Sequence, residues 1–183
     1  MGSYNNCSRC GKPGKVNLGD GEGGIIEILC QGCFNQDMAD IYEIETPDNV
    51  PERLSFKSRR KKPHEFDIEF LIFGTGKSLT ATEIGETNRI VDVWGDMDDD
   101  FDEMMILLEK RIKKSLSVRY MDADGNIKDN KVAGYISCNY DRDSVDIVID
   151  GKPYSWEELK RHVSSREGWK IKIEFGSNGV DFD

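Results

Sequence analysis

The sequence predicts an α+β protein: a small metal-bound lobe at the N-terminus, then antiparallel sheet with helices packed on one face. Three observations carry this. Two cysteine pairs, Cys7-x2-Cys10 and Cys30-x2-Cys33, stand nineteen residues apart. His64–Phe73 alternates well, with Phe66, Ile68, Phe70 and Ile72 on one side and Asp67 and Glu69 on the other, the mark of a half-buried strand. Residues 98–116 and 155–164 carry helix signals between strand-like runs. The division expected is 1–46 for the metal lobe, 47–63 for a linker, 64–121 for a β-β-β-α-β unit and 122–183 for a β-β-α-β unit.

In the first lobe the spacing is a zinc signature. Zn²⁺ takes four thiolates in a tetrahedron, and a two-residue spacer lets both sulfurs of a pair leave one tight turn in the same direction. The expected ligands are Cys7, Cys10, Cys30 and Cys33, around one structural zinc ion. Gly11 tolerates the left-handed backbone that a knuckle demands. Lys15–Leu18 and Ile25–Leu29 read as a hairpin across the turn-rich Gly19–Gly24. The second pair opens a helix to about Tyr42, with Phe34, Met38 and Ile41 on its inner face. A lobe this small buries too little to fold alone, so the metal is expected to supply much of its stability.

Knuckle, hairpin and a helix whose first turn holds the second pair resemble a treble-clef C4 zinc finger. Over residues 5–44, Cys7-Ser-Arg-Cys10-Gly-Lys and Leu29-Cys30-Gln-Gly-Cys33-Phe34 are similar to the N-terminal zinc-binding domain of the ClpX unfoldases. The resemblance implies the local fold and the ligand set, since treble clefs serve many functions. HNH nucleases share the scaffold, but no histidine precedes His64 to match theirs.

The linker is punctuated by Pro47, Pro51 and Pro63 and holds the basic run Lys57-Ser-Arg59-Arg60-Lys61-Lys62. With Lys12 and Lys15 this run is the candidate nucleic-acid surface of an alternative reading. The body's further strands are expected at Leu79–Ile84, Arg89–Trp94 and about Ser117–Met121. The helix from about Asp98 to Leu116 should bury Phe101, Met105, Leu108 and Ile112. Asp98, Asp99 and Asp100 should lie in its first turn and Lys110, Arg111, Lys113 and Lys114 near its end, where both suit the helix dipole.

In the last unit Val132–Tyr140 should pair with Val145–Ile149 through Asp141–Ser144. Ser155-Trp-Glu-Glu158 fits a capping box. Trp169–Phe175 reads as a final strand with Trp169, Ile171, Ile173 and Phe175 facing the core, and the tail from Gly176 should fray. The two units share an order of elements without matching residues. This region resembles uncharacterised bacterial and phage proteins that join a zinc finger to small α/β units.

Other motifs are better explained by structure than by chemistry. Gly74-Thr-Gly76-Lys77-Ser78 mimics a phosphate loop, but Leu71 stands where the first glycine is required and a strand follows in place of a helix. Asp122-Ala-Asp124-Gly125-Asn126 lacks the glycine and glutamate positions of an EF-hand and reads as a polar turn. Asp96, Asp98, Asp99, Asp100, Asp102 and Glu103 read as helix capping, not as a Mg²⁺ site. His64 and His162 show no recognisable partner, and Cys138 is expected to be a buried thiol.

Net charge is −10, with residues 47–63 the one stretch in basic excess. An acidic body repels phosphate backbones and suits a basic surface on a protein. Composition, with 37% hydrophobic residues and no apolar run of membrane length, fits a soluble protein. The odd cysteine count and the lack of a signal-like N-terminus point to the cytoplasm. The functional expectation is a zinc-stabilised, non-enzymatic protein-interaction adaptor. The alternatives are a nucleic-acid-binding regulator and a phage-type inhibitor of a host defence or DNA-binding protein.

Overall fold

A computed structural model describes residues 6–58, 62–85, 89–139 and 144–176. Arg59, Arg60 and Lys61 of the basic run, the Asp141–Asp143 turn and the tail beyond Gly176 lie outside the described residues. The described elements form an α+β protein with antiparallel sheets and the cysteine lobe at the N-terminus.

The lobe is built as the hairpin and helix signals predict. Strands β1 (Val16–Gly19) and β2 (Ile25–Leu29) pair antiparallel. Helix α1 (Gln31–Tyr42) follows at once, with Cys30 as its N-cap. Its buried face is Asn35 and Ala39, with Met38 alongside, whereas Ile41 is exposed. Ile41, six residues after Asn35, lies on a different side of the helix from Asn35 and Ala39 and is exposed.

The main sheet has the order β3-β4-β5-β6: β3 (Arg53–Lys57), β4 (Pro63–Phe73), β5 (Gly76–Glu83) and β6 (Ile90–Gly95). Phe66, Ile68, Phe70 and Ile72 of β4 are buried as the alternation predicts. They join Leu79, Ala81, Val91 and Val93 under helix α2 (Phe101–Ser117). Glycine at 76 lets the start of β5 approach the end of β6 closely, since a Cβ there would sit 2.2 Å from the Gly95 carbonyl oxygen. Strand β3 lies inside the stretch expected to be a linker. Its five residues carry only Leu54 and Phe56 inward, too short a period-two run to stand out among the prolines and lysines.

Three further expectations are corrected here. The buried stripe of α2 is Met104, Leu108, Ile112 and Leu116, with Phe101 and Met105 flanking it. Asp100 is the N-cap, accepting the Glu103 N–H, and Asp99 accepts the Asp96 N–H ahead of the helix; Asp102 and Glu103 occupy the first turn. No strand forms at 117–121: α2 runs to Ser117 and Met121 makes a single bridge to Ile127.

The edge of β4 is closed in three steps. Strand β3 pairs with Pro63–Asp67. The Glu52 carbonyl then accepts the Ile68 N–H at 3.0 Å. Beyond it the buried side chain of Asn35 stands in for a strand residue: Nδ2 donates to the Phe70 carbonyl at 2.7 Å, and Oδ1 accepts the Ile72 N–H at 3.0 Å. An ion pair between Lys15 and Glu69 ties the same lobe to the same strand. Helix α1 therefore joins the lobe to the body: Ala39, Met38 and Ile44 pack in the body's cluster, while Phe34 packs with Cys7, Leu29 and Cys30 in the lobe's own.

The last unit is a β7-β8-β9 meander, with β7 (Tyr135–Asn139), β8 (Ser144–Ile149) and β9 (Lys152–Tyr154), followed by α3 (Trp156–Ser164). Asp150 and Gly151 make the β8–β9 turn, both at positive φ (53° and 81°), as a tight hairpin turn requires. The capping box of Ser155 and Glu158 is present. Residues 169–176 are irregular and unpaired, and Trp169, Ile171, Ile173 and Phe175 are exposed, not core-facing. Alternation fixes which side chains share a face, but a strand also needs an edge to bond, and this segment pairs with none of the described strands. Cys138 is exposed on β7, because that strand turns Tyr135 and Ser137, not Ile136 and Cys138, toward the body.

Charged groups join the two units internally. His64, expected to be unpartnered at a linker edge, is buried, with Nδ1 against Glu83 Oε1 and Nε2 without a protein partner. Arg89 donates to Glu83 at 3.1 Å, to the Ser115 carbonyl at the end of α2 at 2.6 Å and to the Asp150 carbonyl at 3.2 Å. The Asp150 carboxylate in turn accepts the N–H groups of Tyr120 and Met121.

Two substitutions and one control test this architecture. Asn35→Ala orphans a buried carbonyl and a buried N–H, so it should lower unfolding free energy by about 2–4 kcal/mol in urea titration. Gln36→Ala, one residue on and exposed, should stay within about 0.5 kcal/mol of the parent. Arg89→Ala removes a charged hydrogen-bond partner from the buried Glu83 carboxylate and should cost about 3–5 kcal/mol by the same measurement.

Candidate metal centre

The knuckle is set by backbone geometry before any metal enters. The Cys7 carbonyl accepts the Gly11 N–H at 3.0 Å, and the Cys7 N–H donates to the Lys12 carbonyl at 2.7 Å. Gly11 sits at φ 74°, a conformation that L side chains rarely adopt. The Ser8 N–H donates to the Ile28 carbonyl, so the knuckle rests on β2. Cys30 serves twice: its backbone starts α1, and its sulfur accepts the Cys33 N–H at 3.4 Å.

These constraints bring the four predicted cysteines together. Their sulfurs all lie within 4.8 Å of one another, and Cys10 and Cys30 Sγ are 3.4 Å apart. A tetrahedron with bonds of 2.3 Å has sulfurs about 3.8 Å apart, so the observed spacings bracket a four-thiolate metal site. Within it Cys7 and Cys30 are buried together with Leu29; Leu18 and Phe34 pack alongside, and Cys10 is exposed.

Electrostatics around the cluster are uneven. The Cys7 thiol is lowered to about 6, chiefly because the Cys30 backbone amide stabilises its thiolate, with burial opposing. The Cys33 thiol is pushed up to about 12, as side-chain hydrogen bonds from Cys30, Cys10 and Cys7 leave it holding a shared proton. Four sulfurs this close cannot all ionise without a cation, and a bound metal removes that conflict by displacing the protons. Arg9 braces the knuckle against both other parts of the lobe, pairing with Glu27 on β2 and Asp37 on α1. Glu27 is held below its usual range by Arg9 and Ser8.

Among the described residues, the cysteines are the one group of three or more His, Cys, Asp or Glu side chains placed to hold a metal. Asp96, Asp98, Asp99, Asp100, Asp102 and Glu103 lie on the surface around the start of α2. Lys77 of the phosphate-loop look-alike is buried in β5 and donates to the Asp99 carbonyl at 2.8 Å. Asp122 accepts the N–H groups of Asp124 and Asn126, which makes that stretch a polar turn. Of the candidate nucleic-acid residues, Lys12 and Lys62 are exposed, and Lys15 is engaged with Glu69. His162 is half-buried against the Tyr154 ring. Sequence reasoning missed the Asn35 clamp and the His64–Glu83–Arg89 network. Asn35 had a signal, a lone amide on the inner face of α1, where an apolar side chain is the usual occupant.

No helix among the described residues is long and apolar enough to cross a membrane. Residues 48–117 match the family model described as Domain of unknown function (DUF7686). Residues 119–177 match the one described as Domain of unknown function (DUF7713). The first begins ahead of β3 and ends with α2, the second spans the β7-β8-β9 unit, and neither reaches Cys7, Cys10, Cys30 or Cys33. No curated protein and no solved structure matches the chain.

Proposed function

We propose that this protein is a zinc-stabilised, non-enzymatic protein-interaction module. One observation carries the reading: large apolar side chains are exposed on the metal lobe and on the last unit instead of being buried. On the lobe, Ile25, Ile26 and Ile41 are 59%, 72% and 67% exposed. Scattered single apolar residues need no explanation, but three isoleucines on a lobe this small suit a contact surface. The net charge of −10 favours a partner with a basic rim.

Zinc is the metal that fits four thiolates at these spacings. Its role is structural, because four protein ligands leave no position for an activated water. The chain's part is to pre-set the knuckle, through Gly11, Cys30 and Arg9, so that the metal locks α1 onto the edge of β4. The treble-clef resemblance agrees with such a role.

Purified protein should contain about one zinc per chain by elemental analysis, as a closed four-thiolate site requires. Cys30→Ser should abolish most of that zinc. The loss should spread to the body, because Asn35 and Ala39 belong to its edge and core: amides of Phe70–Ile72 should lose exchange protection along with those of the lobe. Protection of β4 that survives zinc removal would separate the two cores and contradict the shared helix.

Affinity purification from the native host should recover a protein in near-stoichiometric amount with the parent chain. Ile26→Asp with Ile41→Asp should lose it while leaving zinc content unchanged. Fluorescence anisotropy with duplex DNA or RNA at physiological salt should show no binding below about 10 µM, since the surface is acidic. Micromolar nucleic-acid binding, with no protein recovered, would overturn this reading in favour of a nucleic-acid regulator.

A further inference from the structure

The last unit leaves more large apolar side chains exposed than it buries. Among the described residues from Arg119 on, the buried hydrophobics are Met121, Val148 and Ile149. Exposed are Val132, Ile136, Val145, Trp156 and Val163, together with the strip Trp169, Ile171, Ile173 and Phe175, each 63–77% accessible. The strip alternates with Lys170, Lys172 and Glu174, and Lys172 pairs with Glu174 on its polar side. It has the period of a strand and no strand beside it among the described residues. Unpaired backbone next to a row of exposed apolar side chains is a template for pairing with another chain.

We propose that residues 169–176 form a dimerisation strand, pairing antiparallel with the same strand of a second copy about a two-fold axis through Ile173. The inference deepens the interaction-module reading and rests on it. The strip is complementary to itself in this register. Ile173 meets Ile173 of the second copy, Ile171 meets Phe175, and Lys172 meets Glu174 on both sides of the axis. Lys170 falls opposite Gly176, so no like charges face each other. A two-fold interface requires this reciprocity, residue i on j and j on i. Moving the axis to Lys172 would oppose two lysines, which cross-strand pairing disfavours. A two-stranded ribbon is marginal in water without a covered apolar face. Ile136 and Val145, exposed on one face of β7 and β8, belong to the same unit and are available to cover it.

The test uses the zinc-loaded full chain in sedimentation equilibrium from about 1 to 200 µM, a range suited to a small interface. The parent chain should move from monomer to twice its mass. Lys172→Glu alone and Glu174→Lys alone each place two like-charge pairs in the ribbon and should weaken association at least about tenfold. An equimolar mixture of the two single variants restores both opposite-charge pairs and should return association to within about threefold of the parent. These side chains are exposed, so circular dichroism should be unchanged. A parent chain that stays monomeric, single variants that dimerise like the parent, or a mixture that is not rescued would each overturn the proposal. Exchange protection of residues 170–174 in a monomeric parent would show the strand folded onto its own sheet and would overturn it equally. A monomer that still recovers its partner through Ile26 and Ile41 would end the dimer and leave the interaction module standing. A dimer that recovers nothing would do the reverse.

Discussion

Helix α1 belongs to two cores at once, and the arrangement of the chain depends on that double membership. Its first residue is capped by a cysteine of the candidate metal cluster, and one turn later Asn35 closes the edge of β4. A helix of twelve residues is marginal by itself in water. It holds because the cysteine cluster fixes one end while the sheet captures the middle. The free edge of β4 beyond Asp67 is a liability, since Leu71 and Phe73 flank it. A helix-borne amide covers that edge without adding a strand, and it can do so only if the metal lobe holds α1 at the right height.

What the sequence revealed follows from how local each constraint is. The cysteine spacing encodes a site within a few residues of chain, and all four sulfurs converge as expected. The eleven-residue alternation of β4 and the capping box at Ser155 are equally local, and both appear. Strand β3 was hidden because its inward residues are only Leu54 and Phe56 and its role is set by β4, not by its own pattern. The tilt of the α2 stripe toward Met104 and Leu116 was decided by where the sheet lies beneath it. Asp150-Gly151 was legible as a hairpin dipeptide and would have placed β9.

The buried His64–Glu83–Arg89 group was beyond sequence reasoning because it joins β4, β5, the start of β6, the end of α2 and the β8–β9 turn. Burying a carboxylate is costly unless charge-assisted hydrogen bonds repay it. Here one arginine provides them while also satisfying two carbonyls, one in each unit. Those carbonyls sit where regular structure ends and the helix or hairpin can no longer bond its own backbone. The polar group therefore fixes how the units meet, where an apolar contact would leave the angle free.

The segment 169–176 illustrates the opposite case, a strong local signal without an intramolecular answer. Period-two alternation states which side chains will share a surface, and it is silent on which edge the backbone will bond. The main sheet has no vacancy next to β4, where β3, Glu52 and Asn35 already stand. At β6, Arg111 reaches around to the Asp92 carbonyl and so occupies part of that edge. The strip's apolar row and its paired Lys172 and Glu174 remain at the surface, where the strand of a second copy is the partner we propose.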